Sequence, residues 1–553
     1  MMTVKRWLDR MVERECARPR MTVGEGSMQV LKQGRTIGKV RRGRRLAAGL
    51  IAVALGVAAL TACGSGGSSS GSASDTLTVA LPIDSPTSFE LTQQCSSPMF
   101  QLAYEPLIRI TKDGGYEPGI AASWQYSSDK TVFTMKIRGG VKFADGTDVT
   151  RDSVLNTLNY YKSVPGLNDG YIKPWKIAAV DKDSIAITSP APFAGMESIL
   201  SDSGNCNNGM IISAAGLANP DKLKTATFGA GPYVYDAAQS QNGDHYTYTP
   251  NPLYYDKSRQ NYKKIILRVI ADQNTAMNAL ASGQIQVNMT GGAQLADQAK
   301  SKGFDSTVGR VQATAIMLWD RAGKLTPELG DVRVRRAMAL ALDRDSIAKA
   351  VGTAITTQDQ FTGAGFPGHD DNLPSKYTYD VNQAKKLLAD AGYPDGFSMT
   401  LEVNSDDPDA TIAVNAAAAQ LGKIGIKLDL KSLPNSSFFT DFAAKKFSAG
   451  AVSYGLYGTL PNEAYRLYKL PYSAVWNPFA STDPDLDKAY DALNASTKDT
   501  FEANAKQFND TMTAKAWYVP IVAVPQFIYS KGIDVGKRDP MGQFAISAWA
   551  AKK

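Results

Sequence analysis

Leu77, Val79 and Leu81 alternate with Thr78 and Ala80, a period of two that predicts a strand. Phe133, Met135 and Ile137 repeat the pattern, and Gly139-Gly140 and Asp145-Gly146 supply turns behind it. A helix capped near Thr150 follows, burying Val154, Leu155 and Leu158. Residues 263–270 (KKIILRVI) read as a buried strand. Asp272 caps the next helix, and Gly283 ends it before a short strand around Ile285 and Val287. Farther on, 331–342 form a helix with Val334, Met338, Ala341 and Leu342 on one face and Arg333, Arg335 and Arg336 elsewhere. Asp380 caps a helix through Leu387 and Leu388 that stops at Gly392 and Pro394. A helix holding Leu421 and Ile424 leads into the alternating strand 426–430. Strands interleaved with helices make an α/β architecture with crossover connections.

The chain has 553 residues, enough at about 150 per domain for three or four domains. Its 43% hydrophobic and 20% charged content excludes disorder as the whole account. The net charge of +7 is unevenly placed. The first 62 residues hold 13 Lys/Arg against 4 Asp/Glu, which leaves 47 basic and 49 acidic residues for the rest. The body therefore has no bulk attraction for nucleic acid. The basic segment reads as an export signal. Arg41, Arg42, Arg44 and Arg45 precede an uncharged run from Leu46 to Leu60, shorter than the roughly 20 residues of a spanning helix. Leu60-Thr61-Ala62-Cys63 resembles a bacterial lipobox, which makes 1–62 a lipoprotein signal peptide and Cys63 the acylated N-terminus. Residues 63–75 form a Gly/Ser tether with no core-forming capacity. Cys95 and Cys206 remain in the body; in an oxidising compartment an even pair fits a disulfide, with two buried thiols as the other reading.

Candidate chemistry is sparse. His245 and His369 lie 124 positions apart, and neither has a G-x-S-x-G nucleophile elbow to serve, so both read as loop residues. No H-E-x-x-H or C-x-x-C spacing offers a metal or redox site. The 532–538 stretch (GIDVGKR) resembles a phosphate loop but is one residue short and has Arg538 where Ser or Thr must hold Mg²⁺. The pairs Asp370/Asp371 and Asp406/Asp407 read as solvated loop acids. No catalytic residue, cofactor or metal is expected, although separated carboxylates leave a secreted glycosidase-like enzyme as an alternative.

Six stretches together resemble one family, the extracellular solute-binding proteins of peptide- and nickel-type ABC importers, family 5. They are Tyr104-Glu105-Pro106-Leu107; Glu117-Pro118 with Ala121-Ala122-Ser123-Trp124; 138–149 (RGGVKFADGTDV); Gly229-Ala230-Gly231-Pro232-Tyr233; Arg333 to Ala337 with Ala341 to Arg344; and 384–393 (AKKLLADAGY). They follow the family's order across 76–535. The resemblance implies a two-lobed periplasmic-binding-protein-like fold with a hinge and an inserted subdomain in the first lobe. Lobe one takes 76–115, 228–316 and 525–553, the insertion 116–227, and lobe two 317–524.

The resemblance also implies a receptor, not an enzyme, anchored by lipid to the outer face of the cytoplasmic membrane. It would enclose a small solute, most often a peptide, and deliver it to permease subunits whose associated ATPases carry the phosphate loop. In the peptide-binding branch a second-lobe Asp grips the ligand's α-ammonium. The matching stretch is Tyr454-Gly455-Leu456-Tyr457-Gly458-Thr459-Leu460-Pro461, with Tyr457 and Leu460 where acids are expected and Glu463 the nearby acid. Tyr454, Tyr457, Trp476 and Trp319 are the candidate ligand-binding aromatics, suited to stacking on a peptide, an oligosaccharide or another planar solute. Two histidines in all argue against a nickel site.

Overall fold

The alternation of Leu77, Val79 and Leu81 becomes strand β1 (Thr76–Leu81), all three side chains buried, at the centre of one large mixed sheet. The structure, a computed structural model, describes residues 75–81, 90–92, 98–164, 169–202, 207–373, 378–456, 458–469, 476–536 and 545–552. The signal segment, the tether before Asp75, Cys63, Cys95, Cys206 and Tyr457 lie outside the described residues.

Ten more strands join β1: β2 (Tyr233–Gln241), β3 (His245–Pro250), β4 (Lys264–Val269), β5 (Val287–Gly291), β6 (Asp305–Leu318), β7 (Thr356–Thr357), β8 (Phe397–Asn404), β9 (Ile426–Leu433), β10 (Ala449–Gly455) and β11 (Tyr518–Ser530). Their order is β9-β8-β10-β6-β11-β5-β1-β4-β3-β2, with β7 on β11. The run KKIILRVI supplies β4, parallel to β1 in the register Thr76↔Lys264 to Leu81↔Val269. A separate four-stranded antiparallel sheet holds Ala121–Tyr126, Val132–Ile137, Ser184–Thr188 and Lys176–Ala179.

Helix starts follow their caps. Thr150 and Ser153 form a reciprocal capping box at the start of α1 (Arg151–Ser163), which buries Val154 and Leu158 and leaves Leu155 partly covered. Asp272 accepts from Thr275 N at 2.7 Å to open α2 (Gln273–Ser282), and Gly283 closes it at φ 77°. Asp331 caps α3 (Val332–Leu340) and Asp380 caps α4 (Val381–Asp390). Arg335 lies off the apolar face of α3 yet is only 6% exposed, because its guanidinium reaches the backbone oxygens of Leu329 and Lys515.

Two lobes emerge from where the cores lie. β1, β4, the four-stranded sheet and α1 share one apolar cluster. Helix α3, α4, β8 and helix α5 (Pro408–Gly422) share a second, on one face of the β8–β10–β6–β11 region. The other face carries a third, aromatic cluster that includes Trp319, Tyr454 and Tyr518. β6 and β11, paired from Asp305↔Ser530 to Met317↔Tyr518, run between these regions. Alternation along β6 sends Ala313, Ala315 and Met317 to the aromatic face and Ile316 and Leu318 to the opposite one.

Candidate functional site

That aromatic face opens beside a cavity of about 350 Å³. Its floor is made of β6 (Val311, Ala313) and β11 (Ala523), its sides of β7 and Tyr454 on β10, and its rim of the 358–371 segment. Tyr454 pairs with Ala313 in register, so the small alanine leaves the phenol ring room to form a wall. The wall is built from several rings. Phe361 lies nearly parallel to Tyr454 with centroids 6.4 Å apart, Tyr518 is at 5.9 Å, and Trp476 meets it edge-on at 6.4 Å. The Tyr454 hydroxyl donates to Phe361 O at 3.2 Å, and burial pushes its phenol well above the usual range.

The 358–371 segment has no periodic pattern, yet side-chain amides fix it. Gln360 Nε2 donates to Asp370 O at 3.1 Å while Asp370 N donates back to Gln360 Oε1 at 2.9 Å. Asn509, wholly buried, donates to Gln360 Oε1 at 2.6 Å and accepts from Thr362 N at 2.9 Å. Gly368 turns the chain at φ 78°, with a hypothetical Cβ only 2.5 Å from Ala505 O, so a side chain there meets both strain and backbone. The next residue, His369, lines the cavity; its Nδ1 donates to Thr362 O at 3.0 Å, and its Nε2 stands 3.5 Å from Asp371 Oδ1. Asp359 and Asp371 also line the cavity.

Behind the ring wall sits a buried ion pair. Helix α6 (Asn435–Ala443) packs on the same aromatic face, and the short helix α7 (Leu460–Ala464) carries Glu463. A single wide turn, Tyr465–Lys469, follows and carries Arg466. Arg466 Nε donates to Glu463 Oε2 at 2.9 Å, Nη2 donates to Gly455 O at 2.7 Å, and the guanidinium lies 5.0 Å from the Trp476 ring centre. Glu463 is therefore already engaged by a cation of this chain.

The same turn meets the other half of the protein. Asn462 Nδ2 donates to Ser198 Oγ at 3.0 Å, Ala194 N donates to Asn494 Oδ1 at 3.1 Å, and Phe193 lies 5.2 Å from the Tyr465 ring. Gly458, at φ 114°, admits this contact: a Cβ there would stand 2.1 Å from Ser198 Oγ.

Of the expected aromatics, Tyr454 lines the cavity and Trp476 backs it. Trp319 does not line this cavity. It is fully buried, stacked 3.5 Å from Phe442, because the alternation that continues from β6 points it into the lobe-two core. Tyr457 lies outside the described residues. The reading of Asp370 as a solvated acid is corrected: it is 9% exposed, held by Gln360, and accepts from Asn372 N. The sequence pattern does not mark Phe361 or Asp359, and it marks His369 only as a loop residue. The one signal was the punctuation of 363–368 (GAGFPG), which marks a turn without saying what it faces. Among the described residues no cluster of three His, Cys, Asp or Glu side chains is placed to hold a metal, and no helix is long and apolar enough to cross a membrane.

This arrangement of two lobes, crossing strands and a walled cavity defines a solute-binding fold. The family model for bacterial extracellular solute-binding proteins, family 5, matches residues 115–478, and the chain belongs to that family. Among curated relatives, the glutathione-binding protein GsiB of Escherichia coli (strain K12) is 26% identical over 346 residues, covering 60% of this chain and 64% of the relative. Heme-binding protein A of Haemophilus influenzae is 24% identical over 392 residues, covering 65% and 69%. The chain thus spans about 64% of the length of the GsiB proteins it matches. Among solved structures, DppA from Helicobacter pylori in complex with the peptide STSA superposes with a TM-score of 0.72 at 18% identity, covering 86% of this chain and 98% of that one. NikA from Brucella suis in complex with Fe(III)-EDTA gives 0.71 at 20% identity, covering 86% and 100%. These likenesses establish the two-lobed periplasmic-binding-protein fold.

Proposed function

We propose that this chain is the capture receptor of an ABC importer, a binding protein and not an enzyme, with a peptide as its solute. The observation that carries this reading is the cavity beside β6 and β11, the strands that run between the lobes, with polar groups on its rim and an aromatic wall. Closure over a solute there removes it from water and couples its presence to a shape that a permease reads. The cavity volume lies within the range for small-molecule sites, about 300–1,000 Å³. Tyr454 is 2% exposed and flanked by three rings, so its own faces are closed to a sugar, which favours the peptide over the oligosaccharide. The lobe limits read from the sequence, with 116–227 inserted into lobe one and 317–524 as lobe two, are part of this proposal.

The ammonium clamp of the peptide branch is absent in this reading, because Tyr457 stands at its position and Glu463 is held by Arg466. A charge-assisted bond to an ammonium is worth about 1.5–3 kcal/mol. Calorimetry with a binding peptide, free and N-acetylated, is expected to show less than a tenfold difference, under about 1.4 kcal/mol. A larger loss on acetylation would show that an acid such as Asp359 or Asp371 grips the terminus.

Lipid anchoring at Cys63 and a Cys95–Cys206 bridge complete the proposal. The described flanks of the two cysteines meet, since Asn207 Nδ2 donates to Leu91 O at 3.2 Å, and this supports the pairing. The intact mass of the exported protein is expected to start at an acylated Cys63 and to be two hydrogens lighter than the dithiol, with Cys63→Ala released into the medium. Retention of Cys63→Ala at the membrane, or two thiols free to alkylation, would overturn the corresponding half.

A further inference from the structure

A second cavity, of about 800 Å³, lies in lobe two between the turn after β6, the start of α3, the 479–483 segment and Lys515–Trp517. Two arginines line it and are nearly buried, Arg321 at 7% exposure and Arg335 at 6%. Neither has a carboxylate partner among the described residues. Arg321 Nε and Nη2 donate to Trp517 O, its Nη1 reaches Asn477 Oδ1 at 3.4 Å, and its plane lies 3.9 Å from the Trp517 ring centre. Among the described residues, Arg335 donates only to the backbone oxygens of Leu329, Gly330 and Lys515.

The acids of this cavity are otherwise engaged. Asp331 caps α3 and pairs with Arg333. Asp483 caps the helix Pro484–Asn494 and pairs with Lys515 at 3.0 Å, while Lys515 also holds Asp485 at 2.6 Å. Two donor groups among the lining residues are buried without a hydrogen-bond partner among the described residues, Trp517 Nε1 and Ser481 Oγ. The neighbouring arginines oppose one another: burial above all, and the charge of Arg335, lower the Arg321 pKa to about 9. Burial lowers the Arg335 pKa to about 10 although the charges of Asp331 and Asp483 nearby oppose this, and neither acid bonds to it. Buried cations without a bonded counter-charge are costly, and guanidinium groups match the oxygens of phosphate or carboxylate.

We propose that this cavity is a second ligand site, separate from the Tyr454 cavity, that binds a small oxyanion through Arg321, Arg335 and Ser481. Phosphate and carboxylate share the recognising chemistry, and the probes separate them. Calorimetry and thermal unfolding of the purified exported protein with inorganic phosphate, with succinate, and with sodium chloride at matched ionic strength decide it. At least one of phosphate and succinate is expected to bind one to one and to raise the melting temperature saturably, beyond the effect of chloride. The stronger of the two assigns the class. Arg335→Gln is expected to weaken that binding at least tenfold and Ser481→Ala several-fold, while Ala364→Trp, in the other cavity, leaves it unchanged. If Arg335→Gln does not fold, Ser481→Ala decides alone. No saturable effect beyond chloride, or binding unaltered by these lining variants, overturns the site.

Discussion

Glu463→Gln is expected to destabilise the protein by about 3–5 kcal/mol, the cost of leaving one partner of a buried ion pair without the other. The side chains of Glu463 and Arg466 are only 1% and 7% exposed, and Arg466 also donates to Gly455 O and lies against the Trp476 ring. The loss would reach the site, because Trp476 backs Tyr454 and Arg466 fixes the end of β10. Urea unfolding of the two proteins measures it. A difference under 1 kcal/mol would mean that Glu463 is not committed to Arg466 and is free to meet a ligand's ammonium.

The second large effect is a pH dependence set by Glu402. This residue pairs with Gly450 on β10, and a Cβ on Gly450 would point into the Trp319 ring, so the Glu402 carboxyl faces the same aromatic core. Both its oxygens are buried without a hydrogen-bond partner among the described residues. Burial, with Asp441 nearby, raises its pKa to about 8, against smaller opposing effects of Lys431 and Lys446. The folded protein therefore holds this proton where the unfolded chain has released it. Stability contributed by the neutral form is fully present below about pH 4.5 and is lost as pH rises toward 8, by at most about 1.4 kcal/mol per unit. Glu402→Gln keeps the neutral shape and is expected to be more stable than the parent by on the order of 3 kcal/mol at pH 8, and equal to it near pH 4. A parallel pH dependence of the two proteins would contradict this.

Much of the fold was legible wherever a local rule governed. Asp272 and Asp380 cap the helices that their positions announce, Leu77 sits in a strand that alternation reveals, and Ile265 in one that its apolar run reveals. β11 was hidden because Pro520 and Pro525 interrupt it, and prolines argue against an inner strand. The structure accommodates Pro520 at a register shift, where Thr314 pairs with Val522 and Ala315 with Pro520. The burial of Arg335 was not legible, because period alone cannot show the backbone oxygens of Leu329 and Lys515 that receive it. The cavity lining was legible only in part. Tyr454 stands in the stretch 454–461 marked by family resemblance and Trp476 is an aromatic beyond it, whereas His369 and Phe361 enter through a segment whose shape depends on Asn509, about 150 residues away.

The central claim is that a solute is captured in the cavity walled by Tyr454 and rimmed by 358–371. Native mass spectrometry of the exported protein, before and after denaturation, tests it most directly when paired with Ala364→Trp, an exposed rim position where an indole fills the cavity without entering the core. The expected result is a small molecule released one to one from the parent protein, or taken up from a peptide mixture, and absent from a folded Ala364→Trp. A parent protein that retains no peptide at any concentration, or an Ala364→Trp variant that retains it equally well, would contradict the account.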